Sequence, residues 1–356
     1  MEEKHLFAAN ILRSGIRAFA GFAASEVISA CAEAKEKLGP DPFAAWRDFL
    51  AARVEELAAA IAAGRPAVFA AQVRWAAELL QARGLPAGFV RTSIEKLRSV
   101  LAAELPPEAR ETATAFVDRA LADFASGSEP PPERLAPTTP YRALAASYLV
   151  ALLEGDRKRA RDLVLERARA GTPAAELYLE VLAPAEEEIG RMWHANEITV
   201  AEEHFATATT EMVAAQVAAL APERPSNGKT VLAAAAPGNR HDLGLRMLAH
   251  LFEIEGWRTI YLGADAPIPD LLDAIASFRP DLLALSAALA VQVPAVKAAI
   301  EAVRASEGAS ALPILVGGQA FAAAPDLWRE LGADGYGATA AEALAAAARL
   351  VRSPKT

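Results

Sequence analysis

Cysteine is nearly absent. Cys31 is the single one, so the chain closes no disulfide within itself and suits a reducing compartment. Set beside Val27, Ile28 and Ala30, it reads as a small buried residue and a poor covalent anchor. Long apolar runs are missing too. Although 53% of the residues are hydrophobic, no uninterrupted stretch approaches the roughly 20 residues that cross a bilayer. The start, Met1-Glu2-Glu3-Lys4-His5, is mixed in charge and unlike a signal peptide. A cytoplasmic location without a membrane partner is the expectation. Positive charge is in deficit: a net charge of −9, with no basic recognition helix, argues against nucleic acid as a direct partner. Histidine is scarce, and His5 alone precedes His194, which disfavours a His-ligated haem in the first third.

What is present divides the chain into segments. Residues 1 to 127 read as helices throughout, of globin-like length, with breaks at Gly39-Pro40-Asp41-Pro42, Gly64-Arg65-Pro66, Gly84-Leu85-Pro86 and Leu105-Pro106-Pro107. Between breaks, apolar residues recur at three- and four-residue spacing, as in Phe43, Trp46, Phe49, Leu50 and Val54. A Pro-rich linker over 128–140 follows. Residues 141–222 read as a four-helix bundle. From Lys229 to residue 352, strands and helices alternate, with strands expected over 230–236, 258–262, 281–286, 312–316 and 334–336. Helical patterns at 268–278 and 294–305 separate some of them. Five βα units in a row predict a doubly wound, flavodoxin-like parallel sheet.

Candidate site residues gather at one edge of that sheet. His241 lies in Pro237-Gly238-Asn239-Arg240-His241-Asp242-Leu243-Gly244, between the first strand and the next helix, where ligands of open parallel sheets bind. Gly263 ends the second strand, Ser286 the third, Leu289 follows it, and Gly317-Gly318 close the fourth. Small residues there let a large flat ligand approach the backbone. Taken singly, each is also an ordinary strand-end turn. In the bundle, Trp193-His194 lies near the end of one helical run, and Thr199-Val200-Ala201-Glu202 has the form of a capping box opening the next. Glu203 and His204 fall in its first turn. A core tryptophan and a solvated Glu-His pair are the ordinary alternatives.

Asn239-Arg240-His241-Asp242-Leu243-Gly244 resembles the D/E-x-H-x-x-G signature of cobalamin-binding domains, in which the His is the lower ligand of cobalt. Asn239 departs from it, standing where a carboxylate usually orients the ligand ring; an amide would fix the tautomer but push less strongly on the metal. By the same resemblance Arg240, Asp242, Gly244, Gly263, Ser286, Leu289, Gly317 and Gly318 would line the cofactor. Trp193, nine residues, then Glu203-His204 resembles the W-x9-E-H motif of CarH-type photoreceptors, which bind adenosylcobalamin. The resemblance spans roughly residues 141–352. It implies that Trp193 packs on the adenosyl group, that Glu203 binds its ribose hydroxyls, and that His204 lines the pocket. It also implies that His194 ligates cobalt after light expels the adenosyl group, giving a bis-His cobalamin and a change of quaternary structure or partner binding.

No DNA-binding segment precedes the bundle, a departure from CarH-type regulators. The layout is similar to that of photocobilins, which pair a cobalamin domain with a biliverdin-binding one. For a bilin, Trp46, Trp75, Phe69 and Phe89 would supply apolar walls, and Arg13, Arg17 or Arg74 cations for its propionates. A plain helical dimerisation or signalling domain is the alternative. The leading expectation is a homo-oligomeric light sensor, dimer or tetramer, with a downstream signalling partner and no catalysis of its own. A corrinoid methyl carrier or mutase subunit, and a light-independent cobalamin-responsive antirepressor, stay open.

Overall fold

The structure is a computed structural model that describes residues 3–30, 40–124, 140–222, 224–322, 324 and 326–351. Cys31 and all of the expected linker but Pro140 lie outside those residues. The chain divides into two compact units, Met1–Pro130 and Pro131–Thr356. Among the described residues, no helix is long and apolar enough to cross a membrane.

Among its described residues the first unit is all-helical: α1 Glu3–Ser14, α2 Ile16–Ala30, α3 Pro42–Ala62, α4 Pro66–Ala82, α5 Ala87–Glu104 and α6 Pro107–Phe124. The expected breaks fall where Pro and Gly stand. Asp41 caps α3, accepting from Ala44 N at 2.9 Å, with Pro42 preset in the first turn. The break at Gly15 was not expected; Phe19 folds its ring back to within 2.5 Å of where a Cβ would sit. Trp46 and Phe69, expected as walls of a bilin slot, are fully buried in the packed core, while Trp75 is exposed. The Trp46 ring meets Phe49 edge-on, and its Nε1–H has no hydrogen-bond partner among the described residues. Arg53, also buried, is bonded to Glu56 at 2.6 Å; burial still raises the Glu56 carboxyl above its ordinary pKa, against the pull of Arg53.

The second unit joins a helical bundle to a sheet. The bundle comprises α7 Arg142–Leu153, α8 Arg157–Arg169, the short α9 Ala174–Leu177 running through a π turn Tyr178–Leu182 into α10 Ala183–His194, and α11 Val200–Leu220. The sheet has strands β1 Thr230–Ala235, β2 Arg258–Gly263, β3 Leu282–Ser286, β4 Ile314–Gly317 and β5 Gly335–Gly337, all parallel, in the order β2-β1-β3-β4-β5. That is the flavodoxin-like order, with its switch point between β1 and β3. The fourth strand begins two residues later than expected because Pro313 has no N–H to give the ladder.

Helices α12 Leu243–Ile254 and α16 Ala340–Leu350 cover one face, α13 Ile268–Phe278 and α14 Val293–Ala305 the other; α15 Leu327–Glu330 is a single turn. β1 is buried on both faces, hence its continuous Val-Leu-Ala-Ala-Ala run. Met247 and Leu251 of α12 enter the core of the bundle alongside Leu177, Val181 and Val213, so one apolar seam fixes bundle to sheet.

Candidate cofactor site

The loop after β1 is built by side chains spent on backbone. Asn239 is wholly buried: its Nδ2 donates to the Ser286 carbonyl at 3.0 Å and its Oδ1 accepts from His241 N at 3.1 Å. The same Ser286 carbonyl accepts from Ala236 N at 2.9 Å. Asp265 Oδ1 accepts from Gly238 N at 2.7 Å, and Gln292 Nε2 donates to Gly238 O at 3.1 Å. Gln292 Oε1 also accepts from the amides of Ala288 and Leu289, at 2.9 Å each. These bonds tie the His241 loop to the ends of β2 and β3. Each end of the Asn239 amide thus meets main chain, and no bond joins it to the His241 ring among the described residues. Nor is His241 buried. Its imidazole is exposed, without a partner among the described residues.

The Asp242 carboxylate is buried, accepting from the Tyr261 hydroxyl and lying 3.4 Å from Arg246 Nη2. Burial, then this bond, raises the Tyr261 pKa. Arg246 stacks over the Tyr261 ring at 5.1 Å and stands 3.8 Å from Glu211 of α11. It therefore links the His241 loop to the bundle.

The rest of the edge is open. Arg240 and Leu289 are exposed, the latter at 44%. A Cβ on Gly244 or Gly238 would meet no protein atom within 4 Å, so packing alone does not demand glycine there. Gly318 is different: at φ +98°, a Cβ would lie 2.2 Å from Ala287 O. Gly263, Ser286, Gly317 and Gly318 thus share one strand-end edge with His241 through the β1–β2, β1–β3 and β3–β4 pairings.

In the bundle, Thr199 caps α11 in a capping box with Glu202, Thr199 N donating to Glu202 Oε2 at 2.7 Å. Asn196, at φ 60°, turns the chain out of α10. Trp193 and His194 therefore end one helix while Glu203 and His204 begin the next. His204 is exposed, and its Nδ1 meets Glu203 Oε2. Glu203 and His204 precede Glu211 by about two helical turns, roughly 10–12 Å along α11. His241 directly precedes Asp242, at the other end of the Arg246 link.

Sequence reasoning overlooked Glu186, Thr207, Asp265 and Gln292. Glu186 accepts from Thr210 Oγ1 at 2.6 Å, and Thr207 Oγ1 lies between Glu186 and Glu203. Glu186 stands seven residues before Trp193, two helical turns away, a spacing that its neighbours Glu187 and Glu188 blur.

An exposed unpaired imidazole, glycines facing open space and an exposed leucine along a switch-point crevice are the features expected where a large, flat, metal-bearing group sits against backbone. Residues 229–345 match the family model described as a B12 binding domain, and residues 144–217 match a second model of that description. This chain carries a B12-binding module. The module has relatives of two kinds. The HTH-type transcriptional repressor CarH of Myxococcus xanthus is 33% identical over 141 residues, which is 39% of this chain and 46% of that protein. The chain thus spans about half of CarH. The dimethylamine corrinoid protein of Methanosarcina barkeri is 24% identical over 191 residues, 53% of this chain and 88% of that protein. The structure of the Methanosarcina barkeri monomethylamine corrinoid protein shares the fold of the B12-binding module, with a TM-score of 0.53 at 19% identity, over 59% of this chain and 99% of that one.

Proposed function

We propose that this chain is a light sensor whose B12-binding module holds adenosylcobalamin. The observation that carries the reading is the α10–α11 turn. It joins Trp193 and His194 to Glu203 and His204 at one corner of the bundle, and the Arg246 link ties that bundle to the His241 loop. The similarity to CarH supports it. Bound adenosylcobalamin supplies a weak cobalt–carbon bond that a visible photon can break. His241 and His194 are the residues that would hold the cobalt. Trp193 would shield the upper face from water and substrate, and Glu203 would bind ribose hydroxyls as an acceptor. Loss of those contacts removes what favours one placement of the bundle, which is how a ligand biases a two-state element. The readout we propose is a change of oligomeric state, dimer or tetramer, or of binding to a downstream protein.

The decisive experiment is reconstitution of the full chain with adenosylcobalamin in the dark, followed by absorption spectra and size-exclusion profiles before and after green light. A stable spectral change with a shift in size supports the sensor; binding with neither rejects it. His194→Ala should bind the cofactor and fail to give the wild-type photoproduct spectrum. Red absorbance in protein coexpressed with a biliverdin source would show that the N-terminal unit holds a bilin; its absence would leave that unit as a dimerisation or signalling domain.

A corrinoid methyl carrier is the second reading, favoured by the match across 88% of the dimethylamine corrinoid protein. A carrier needs an upper face open to a methyl donor, and acceptance of a methyl group from a methyltransferase would establish it. Partner binding that follows cofactor level but ignores light would point instead to an antirepressor.

A further inference from the structure

Between α10 and α11 runs a chain of hydroxyls and carboxyls whose hydrogens can be counted. Tyr148 Oη of α7 lies 2.8 Å from Thr210 Oγ1, which in turn lies 2.6 Å from Glu186 Oε1. Thr207 Oγ1 is 3.1 Å from Glu186 Oε2 and 3.2 Å from Glu203 Oε1. Glu203 Oε2 meets His204 Nδ1. One threonine hydroxyl carries one hydrogen and cannot donate it to two ionised carboxylates at once. The charged groups acting on Glu186 are Glu203 and Glu211 of α11, the latter 3.8 Å from Arg246 Nη2 of α12, with Tyr148 the titratable group from α7; among the described residues no Lys or Arg pairs with Glu186 itself.

We propose that Glu186 is a positioning residue: it holds a proton, donates it to Thr207, and so turns the Thr207 hydroxyl onto Glu203, fixing that carboxylate at the cofactor site. With one added proton every hydrogen is used. Tyr148 donates to Thr210, Thr210 to Glu186 Oε1, Glu186 Oε2 to Thr207, and Thr207 to Glu203 Oε1. Glu203 Oε2 is left to accept from His204. Without that proton, Thr207 has to choose between two anions, and Glu203 loses its partner whenever Glu186 wins. The role of Glu203 rests on the function proposed above; the proton on Glu186 does not.

Electrostatics agrees with the count. Burial pushes the Glu186 carboxyl up to about 7; Thr210 and Thr207 restrain the rise, and Glu203 and Glu211 add to it. In the unfolded chain the group titrates near its ordinary 4.5. The unfolded state therefore releases this proton first as pH rises. The stabilisation is complete below 4.5 and is lost as pH climbs through about 7.

The test uses the full chain without cofactor, as wild type, Glu186→Gln and Glu186→Ala. An infrared carbonyl band of a protonated buried carboxyl should be present in wild type at about pH 6, fade by about pH 8, and be missing from Glu186→Gln. The melting temperature of wild type should fall over that interval relative to Glu186→Gln. A band of equal intensity in wild type and Glu186→Gln, or equal slopes in the two proteins, overturns the protonated Glu186. Positioning is read by titrating adenosylcobalamin and hydroxocobalamin. Glu186→Ala should weaken the adenosyl form about tenfold, roughly 1.4 kcal/mol, beyond any effect on the hydroxo form, and Glu186→Gln should restore it. Equal effects on both forms overturn positioning. If wild type binds neither form, the proposed function fails. Positioning is then decided by the His204 ring resonances, which should move in Glu186→Ala and stay in place in Glu186→Gln; resonances unmoved in both overturn it.

Discussion

Tyr178 Oη of the π turn lies 3.1 Å from His250 Nδ1 of α12, a polar bond across the apolar seam between bundle and sheet. The Tyr178 hydroxyl already donates to Ala214 O at 2.7 Å, so His250 has to carry its hydrogen on Nδ1 and donate. Tyr178→Phe removes the acceptor and the Ala214 bond together. We expect a loss of about 1–3 kcal/mol in urea unfolding of the full chain, with binding residues untouched. Unchanged stability would show that the seam is held by its apolar contacts alone.

The same contact gives the seam a pH dependence. Burial, aided by the charge of Arg246, lowers the His250 pKa below its ordinary 6.5. As pH falls through 6.5 the unfolded chain takes up a proton that the folded chain resists, so this contribution is lost toward acid. Its slope is opposite in sign to that of Glu186. His250→Gln should flatten the acid limb of the melting-temperature profile and leave the neutral limb as it is. A wild-type acid limb in that variant would exclude His250 as its source.

Asn239 supplies a test that separates loop building from ring orientation. Its Nδ2 donor faces the Ser286 carbonyl, and an aspartate there would set acceptor against acceptor in a buried site. Asn239→Asp should therefore cost about 1–3 kcal/mol of stability without cofactor, even though it restores the carboxylate of the cobalamin-binding signature. A variant as stable as wild type would mean that the loop can re-form around a carboxylate.

How much of this was legible follows from what each feature depends on. The five parallel strands and the helix breaks of the first unit are local, carried by apolar runs and by Pro and Gly at their ends. The capping box at Thr199 needs only four residues, and it was there to be read. The bonds of Asn239 and Asp242 were not legible because their partners, Ser286 and Tyr261, stand 47 and 19 residues away. No one-dimensional spacing shows that an asparagine will be spent on a carbonyl of another strand. Glu186 was overlooked for the same reason: on α10 it reads as one acid among Glu186-Glu187-Glu188, and only the approach of Thr207 and Thr210 sets it apart.

Two glycines of the edge should behave oppositely. Gly318→Ala places a Cβ 2.2 Å from Ala287 O at a backbone angle L-residues rarely adopt, and should cost about 3 kcal/mol. Gly244 lies in α12 with nothing within 4 Å of its Cβ position. Gly244→Ala should raise the melting temperature without cofactor, by about 0.4–1 kcal/mol of added stability, and weaken cobalamin binding. Equal cobalamin affinity in Gly244→Ala and wild type would place the cofactor away from this edge.

His241 lends itself to the sharpest separation of binding from folding. Because its ring is exposed and without a partner among the described residues, removing it should leave stability within about 0.5 kcal/mol. As the proposed cobalt ligand it should matter greatly: changes one step removed from a metal already cost about 10–100-fold in affinity, so His241→Ala should lose at least tenfold. Equilibrium dialysis against adenosylcobalamin, beside a urea curve, reads both quantities. Loss of affinity at constant stability assigns the lower ligand. Loss of both would mean that the loop, held by Asn239, Asp265 and Gln292, depends on the ring after all. Constant affinity would move the metal contact to another of the histidines, with His194 and His204 at the bundle corner the next to substitute.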